Sequence, residues 1–197
     1  MTAIILAGGK SSRFGRDKAL VKIDGMPIIK RQIKILAGIF KTVLVVTDNT
    51  RRYRLRGVKI IRDIIPEKGP LGGIYSGLMA SDSFYNFVTA CDMPFLNIDL
   101  VRYMLKKAAG YDAVAVRFNG RTHPLCAVYT KNCLVLAGIR ISKDNLKLSG
   151  LLKNVKTRVI SEMEIKRFDP EGRCLANLNT VKDYLLLTER KNIQIQK

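Results

Sequence analysis

Four short apolar runs rich in β-branched residues punctuate the first half of the chain: AIIL at 3–6, TVLVVT at 42–47, VKIIR at 58–62 and NFVTA at 86–90. The stretches between them carry helical periodicity. After Pro27, IIKRQIKILAGIF puts Ile28, Ile29, Ile33, Leu36 and Ala37 on one face, and proline suits a helix start. RRYRLRG at 51–57 reads as a short helix ended by Gly57, GPLGGIYSGLMAS at 69–81 as a loop running into a helix, and 98–109 as a helix stopped by Gly110. Strand, helix, strand at this spacing predicts a three-layer α/β/α Rossmann-like fold with a mostly parallel sheet covered on both faces.

In open α/β sheets the ligand lies beyond the carboxyl ends of the strands, near the point where strand order reverses. Those ends carry Leu6-Ala7-Gly8-Gly9, Thr47-Asp48-Asn49, Asp63 and Cys91-Asp92-Met93-Pro94. Small and polar residues collect where the cleft is expected.

The second half is less regular. DAVAVRF at 112–118 and HPLCAVYT at 123–130 read as paired strands, KNCLVLAGIRISKD at 131–144 and LSGLLKNV at 148–155 as helices, and TRVIS at 157–161 as a further strand. NLNTVKDYLLLTER at 177–190 reads as a helix capped by Asn179 or Thr180. Residues 1–190 are expected to form one domain, with KNIQIQK at 191–197 as a loose tail.

Charge narrows the partners. Lys and Arg total 35 against 16 Asp and Glu, a net charge of +19, so the surface attracts anions, whether nucleic acid, anionic membrane or phosphorylated metabolites. The bases are scattered, and aromatic residues are 7% with no Trp, which argues against a nucleic-acid-binding module built on base stacking. In TRRYRLRG, however, Tyr53 interleaves with four arginines. The four cysteines form no C-x-x-C pair and read as reduced, mostly buried thiols rather than zinc ligands. AIILA is too short for a secretory core and no run approaches a membrane span, so the expected location is the cytoplasm.

The first loop contains Gly9-Lys10-Ser11, the core of a Walker A sequence, but the required earlier glycine is replaced by Ile4. A G-x-G-x-x-G fingerprint fails as well, because Gly8 and Gly9 are adjacent and the next glycine is Gly15. What remains is a long glycine loop with Arg13 and Lys18. It reads equally as a triphosphate cradle of backbone N–H groups and bases, or as a glycine loop whose bases face water.

The segments LAGGKSSRFGRDKAL, GPLGGI, CDMPFL, THPLCAVY and NLNT together resemble the molybdenum cofactor guanylyltransferases, the MobA family, within the nucleotidyltransferases that share a LAGG-x-x-x-R-x-G-x-x-K loop. The first loop alone specifies only a nucleotidyltransferase, shared with sugar-nucleotide and cytidylyl enzymes. The chain departs from the family pattern at Val181, where proline is usual, and at Phe14, where methionine is common.

The resemblance implies transfer of GMP from GTP to the terminal phosphate of molybdopterin, with release of pyrophosphate. It implies that Leu6, Ala7, Gly8 and Gly9 hold the nucleotide, that Arg13 and Lys18 grip phosphates, and that Asn49, Asp63, Gly69 and Pro70 lie along the nucleotide. Asp92 matches the family's magnesium ligand, and Asn177 and Asn179 match a segment beside the pterin-bearing substrate, with His123 nearby. GTP, the molybdenum cofactor and molybdoenzymes or their carrier proteins are the implied partners, with neither membrane nor nucleic acid expected. A cytidylyl or other nucleotidyltransferase is the alternative within the fold. Asp92 also reads as a helix cap or turn residue, His123 as a structural histidine, and either asparagine as an N-cap.

Overall fold

The computed structural model describes residues 1–8, 17–178 and 183. The chain opens with β1 (Thr2–Leu6) and, after a 3-10 turn at Lys18–Leu20, makes a small hairpin of β2 (Lys22–Ile23) and β3 (Met26–Pro27). Asp24 and Gly25 turn it, with φ of 51° and 76°, the left-handed pair that a two-residue hairpin requires. There follow α1 (Ile28–Ala37), β4 (Thr42–Thr47), β5 (Lys59–Arg62), α2 (Gly69–Ala80), β6 (Tyr85–Ala90) and α3 (Ile98–Lys106). The remainder comprises β7 (Ala113–Phe118), β8 (Arg121–Thr130), α4 (Cys133–Ser142), α5 (Leu148–Lys153), β9 (Thr157–Ile160) and α6 (Glu162–Lys166).

Seven strands form the sheet, in the order β5-β4-β1-β6-β8-β7-β9. β8 runs antiparallel to both of its neighbours, and every other neighbouring pair is parallel. The chain lays β4 and then β5 on one side of β1 and returns to place β6 on the other, so strand order reverses between β1 and β6. Leu6 pairs with both Val46 and Ala90, which aligns the carboxyl ends of these three strands.

Alternation along β1 divides the core into two layers. Ala3 and Ile5 pack with Ile29, Leu36, Leu100 and Met104 from α1 and α3, whereas Ile4 and Leu6 pack with Leu71, Ile74 and Leu78 of α2. α2 lies unusually close to the sheet: a Cβ added at Gly77 would sit 2.6 Å from Ile4 Cγ2 and 3.3 Å from Val46 Cγ2. Neither neighbour is a flexible side-chain end, so Gly77→Val overpacks the layer under β1. It is expected to cost about 3 kcal/mol, lowering Tm by roughly 6–12 °C in a thermal melt.

The sequence reading of RRYRLRG as a helix needs correction. Thr50–Arg52 is a single 3-10 turn, and Tyr53 leaves it extended and buried, so the ring is no stacking platform. The C-terminal helix and the 191–197 tail fall outside the described residues, Asp183 excepted, which is helical.

α6 is held by an acidic hub. Glu164 accepts from the Ser161 N–H and hydroxyl at 2.8 Å each, from the Tyr103 hydroxyl at 2.8 Å and from Arg158 at 3.0 Å. Burial disfavours its charge, but these donors outweigh burial and hold the carboxyl at about 2, against an ordinary 4.5. A depressed folded-state pKa stabilises fully above the unfolded value and is lost as pH falls through the folded one. Glu164→Gln should therefore lower Tm near neutrality and flatten the loss of stability between about pH 4.5 and 2 in an acid titration.

Candidate active site

The turn after β6 presents Asp92 at the point where strand order reverses. It is closed by Met93 N–H to Ala90 O at 3.3 Å and tied to β1 by Cys91 N–H to Leu6 O at 3.0 Å. From the other side Leu178 N–H reaches Asp92 O at 2.8 Å, docking the Asn177-Leu178 segment against the turn. Leu178 is itself buried with Ile23 and Ile28, so the hairpin and the start of α1 fix this segment.

Asp92 is only 16% exposed, with Lys18 Nζ 3.8 Å from its Oδ2. Burial raises the carboxyl pKa above its ordinary value, and the Lys18 ammonium opposes that shift. Its Oδ1 is buried and has no hydrogen-bond partner among the described residues. A partly desolvated carboxylate with an unfilled acceptor oxygen is costly unless a cation satisfies it. Among the described residues no three His, Cys, Asp or Glu side chains gather to hold a metal. One carboxylate plus substrate phosphates is nonetheless a normal magnesium environment, and Asp92 fits it.

Lys18 is positioned by its neighbours. Asp17 caps the 3-10 turn through Oδ1, which accepts from Ala19 N–H at 3.0 Å. Its other oxygen lies 2.8 Å from the Tyr53 hydroxyl and 3.7 Å from Arg52 Nε. The Tyr53 hydroxyl also stands 3.3 Å from Ala7 O. The tyrosine that interleaves with four arginines in the sequence is thus a buried bracket between β1, the end of the glycine loop and the segment after β4.

The other expected site residues are distributed along this edge. Leu6 O and Ala7 N–H are engaged in the sheet, by Cys91 and Val46 respectively, and Gly8 is exposed next to them. Asn49 is exposed and caps its own turn by accepting from Arg51 N–H at 3.1 Å. Asp63 commits Oδ1 to Ser76 Oγ at 2.7 Å and Ile65 N–H at 3.0 Å, bracing α2 against the end of β5. Gly69, at φ 57°, and Pro70 open α2 on the surface. Gly9, Arg13 and Asn179 lie outside the described residues.

Farther along the edge, at β8 and the end of β7, a cavity of about 420 Å³ is lined by Phe118, Asn119, His123, Glu171 and Ala176 among others. His123 is half-buried, and burial lowers its pKa, which keeps the imidazole neutral at pH 7. Ala176 connects this cavity directly to exposed Asn177 and, through Leu178, to the Asp92 turn. Cys126, Cys133 and Cys174 are buried, and the Cys91 thiol is pushed up to about 12, chiefly by burial. None is poised as a nucleophile.

The model of the MobA-like NTP transferase domain matches residues 3–155. A protein of Clostridium perfringens named a probable molybdenum cofactor guanylyltransferase is 35% identical over 195 residues, covering 98% of both chains. The molybdenum cofactor guanylyltransferase of Syntrophotalea carbinolica is 34% identical over 185 residues, covering 93% of this chain and 88% of its own. Among solved structures, molybdopterin-guanine dinucleotide biosynthesis protein A from Archaeoglobus fulgidus superposes with a TM-score of 0.84 at 22% identity, covering 98% of this chain and all of that one.

Proposed function

This chain belongs to the MobA-like NTP transferase family, and we propose that it transfers GMP from GTP to the terminal phosphate of molybdopterin, releasing pyrophosphate. The observation that carries the reading is identity of 34–35% to named guanylyltransferases across nearly the whole chain. The Lys18–Asp92 pair at the strand-order reversal adds a site of the right chemistry.

An oxygen of the acceptor phosphate attacks the α-phosphorus of GTP, forming a new P–O bond while the bond from the α-phosphorus to the β-phosphate oxygen breaks. A phosphate monoester has its second pKa near ~6, so the nucleophile is already ionised at neutral pH and no strong general base is needed. That suits a chain with one histidine, kept neutral. What remains is to bring two polyanions together and to neutralise charge on the leaving pyrophosphate.

Lys18 supplies a cation for the phosphates from a braced turn, and Arg13 adds a second in the glycine loop. Nucleotidyltransferases of this family generally use a divalent metal. We take it to be Mg²⁺ held by Asp92, where it would screen the phosphate oxygens. Leu6, Ala7, Gly8, Gly9, Asn49, Asp63, Gly69 and Pro70 form the nucleotide side of the cleft. Asn177, Asn179 and His123 form the acceptor side, where the 420 Å³ cavity adjoining Asn177 has the size class of small-molecule pockets.

Residues 1–190 are read as one catalytic domain working in the cytoplasm; among the described residues no helix is long and apolar enough to cross a membrane. Calorimetric titration with GTP, CTP and ATP in magnesium tests the nucleotide half of the proposal. Selective GTP binding is expected, and preference for CTP would move the chain to the cytidylyl branch.

A further inference from the structure

We propose that Gln32 is a positioning residue for Asp92, acting through the backbone of the turn rather than by touching substrate. The inference rests on Asp92 being the metal ligand.

Gln32 is fully buried in the middle of α1, among the apolar side chains Ile28, Ile29 and Leu36. An amide there costs free energy unless its polar atoms are satisfied. Its Nε2 lies 2.7 Å from Ala90 O and 2.8 Å from Met93 O, one carbonyl on each side of Cys91-Asp92. An –NH₂ group has two hydrogens, and these two acceptors use both. Among the described residues Gln32 Oε1 is buried with no partner, so the polar role of the residue is that of a donor.

The direct closure of the turn, Met93 N–H to Ala90 O at 3.3 Å, is long for an amide hydrogen bond. Gln32 therefore clamps a weakly self-closed turn. Together with Leu6 O and Leu178 N–H it fixes four backbone polar groups, in three peptide units, from Ala90 to Met93. The backbone beneath the carboxylate is held on three sides, while among the described residues Asp92 Oδ1 has no hydrogen-bond partner to compete with a cation. This is the arrangement of a preorganised ligand, in which outer residues set the geometry and the ligand atom stays uncommitted. α1, otherwise a packing helix, thereby becomes a strut for the metal site.

The test uses Gln32→Met, which keeps length and removes both donors, against Leu36→Ala, which empties a buried position one turn along the same helix and leaves both Gln32 hydrogen bonds to the Asp92 turn in place. Mn²⁺ binding in the presence of GTP is read by electron paramagnetic resonance, alongside kcat, KM for GTP and Tm. Gln32→Met is expected to weaken Mn²⁺ binding and lower kcat by about 10–100-fold each, with KM for GTP much less affected. Leu36→Ala is expected to lose Tm but retain Mn²⁺ affinity. If Gln32→Met does not fold, Gln32→His, which keeps one N–H, should show a smaller loss of the same kind. A Gln32 variant that binds Mn²⁺ as Leu36→Ala does overturns the inference. Asp92→Asn measured in parallel separates the causes: Mn²⁺ binding unchanged in Asp92→Asn means that the metal-ligand reading itself has failed.

Discussion

Asp92→Asn is expected to melt at or above the wild-type temperature and yet to lose a factor of about 10²–10³ in turnover, 3–4 kcal/mol of transition-state stabilisation. The two halves of this expectation have one cause. The carboxylate is partly desolvated, Lys18 Nζ stands 3.8 Å from it, and among the described residues one oxygen has no hydrogen-bond partner, so the ionised group is a burden to the resting fold. A stabilising role in the turn is carried by the backbone, through Ala90 O, Cys91 N–H, Asp92 O and Met93 O, all of which survive the substitution. Sites that give up stability for chemistry show this signature. A variant that melts lower while turning over normally would make Asp92 a structural turn residue.

The second large effect is expected at Lys18. Lys18→Ala should reduce kcat/KM for GTP by about 10²–10³-fold, the scale for losing one preorganised charged donor to a developing phosphate charge. Lys10→Ala, in the Gly9-Lys10-Ser11 that mimics a P-loop, should cost less than about tenfold by the same reasoning. The distinction rests on bracing: Asp17 caps the Lys18 turn and is itself gripped by Tyr53 and Arg52. Steady-state kinetics on both variants check it. Loss of turnover in Lys10→Ala with an active Lys18→Ala would reverse the assignment.

The fold was legible because its information is local. The β-branched runs coincide with β1, β4, β5 and β6 within a residue or so, and the carboxyl-edge rule points to the strand ends that carry Ala7 and Asp92. The departures have identifiable causes. Asp24-Gly25 is a strong hairpin signal, and Ser161-x-x-Glu164 is a capping box; both features are short and carry little weight beside the longer periodic runs.

The supporting residues of the site were harder to read. Gln32 looks like a solvent-facing polar residue in a lysine-rich helix, and only the tertiary position of the Asp92 turn reveals why an amide is buried there. Tyr53 interleaves with four arginines in the sequence, yet its hydroxyl closes an internal bracket that links residues 46 and 36 positions apart. Such contacts depend on which loops the sheet brings together. The one available hint was an Asp immediately before the loop lysine.

The most direct measurement is a transfer assay with GTP labelled at the α-phosphate, purified protein, magnesium and molybdopterin, with CTP run in parallel. The account predicts label appearing in a pterin dinucleotide together with one equivalent of pyrophosphate, from GTP and not from CTP. Transfer from CTP alone, or no transfer to molybdopterin from a protein that binds GTP, would contradict it.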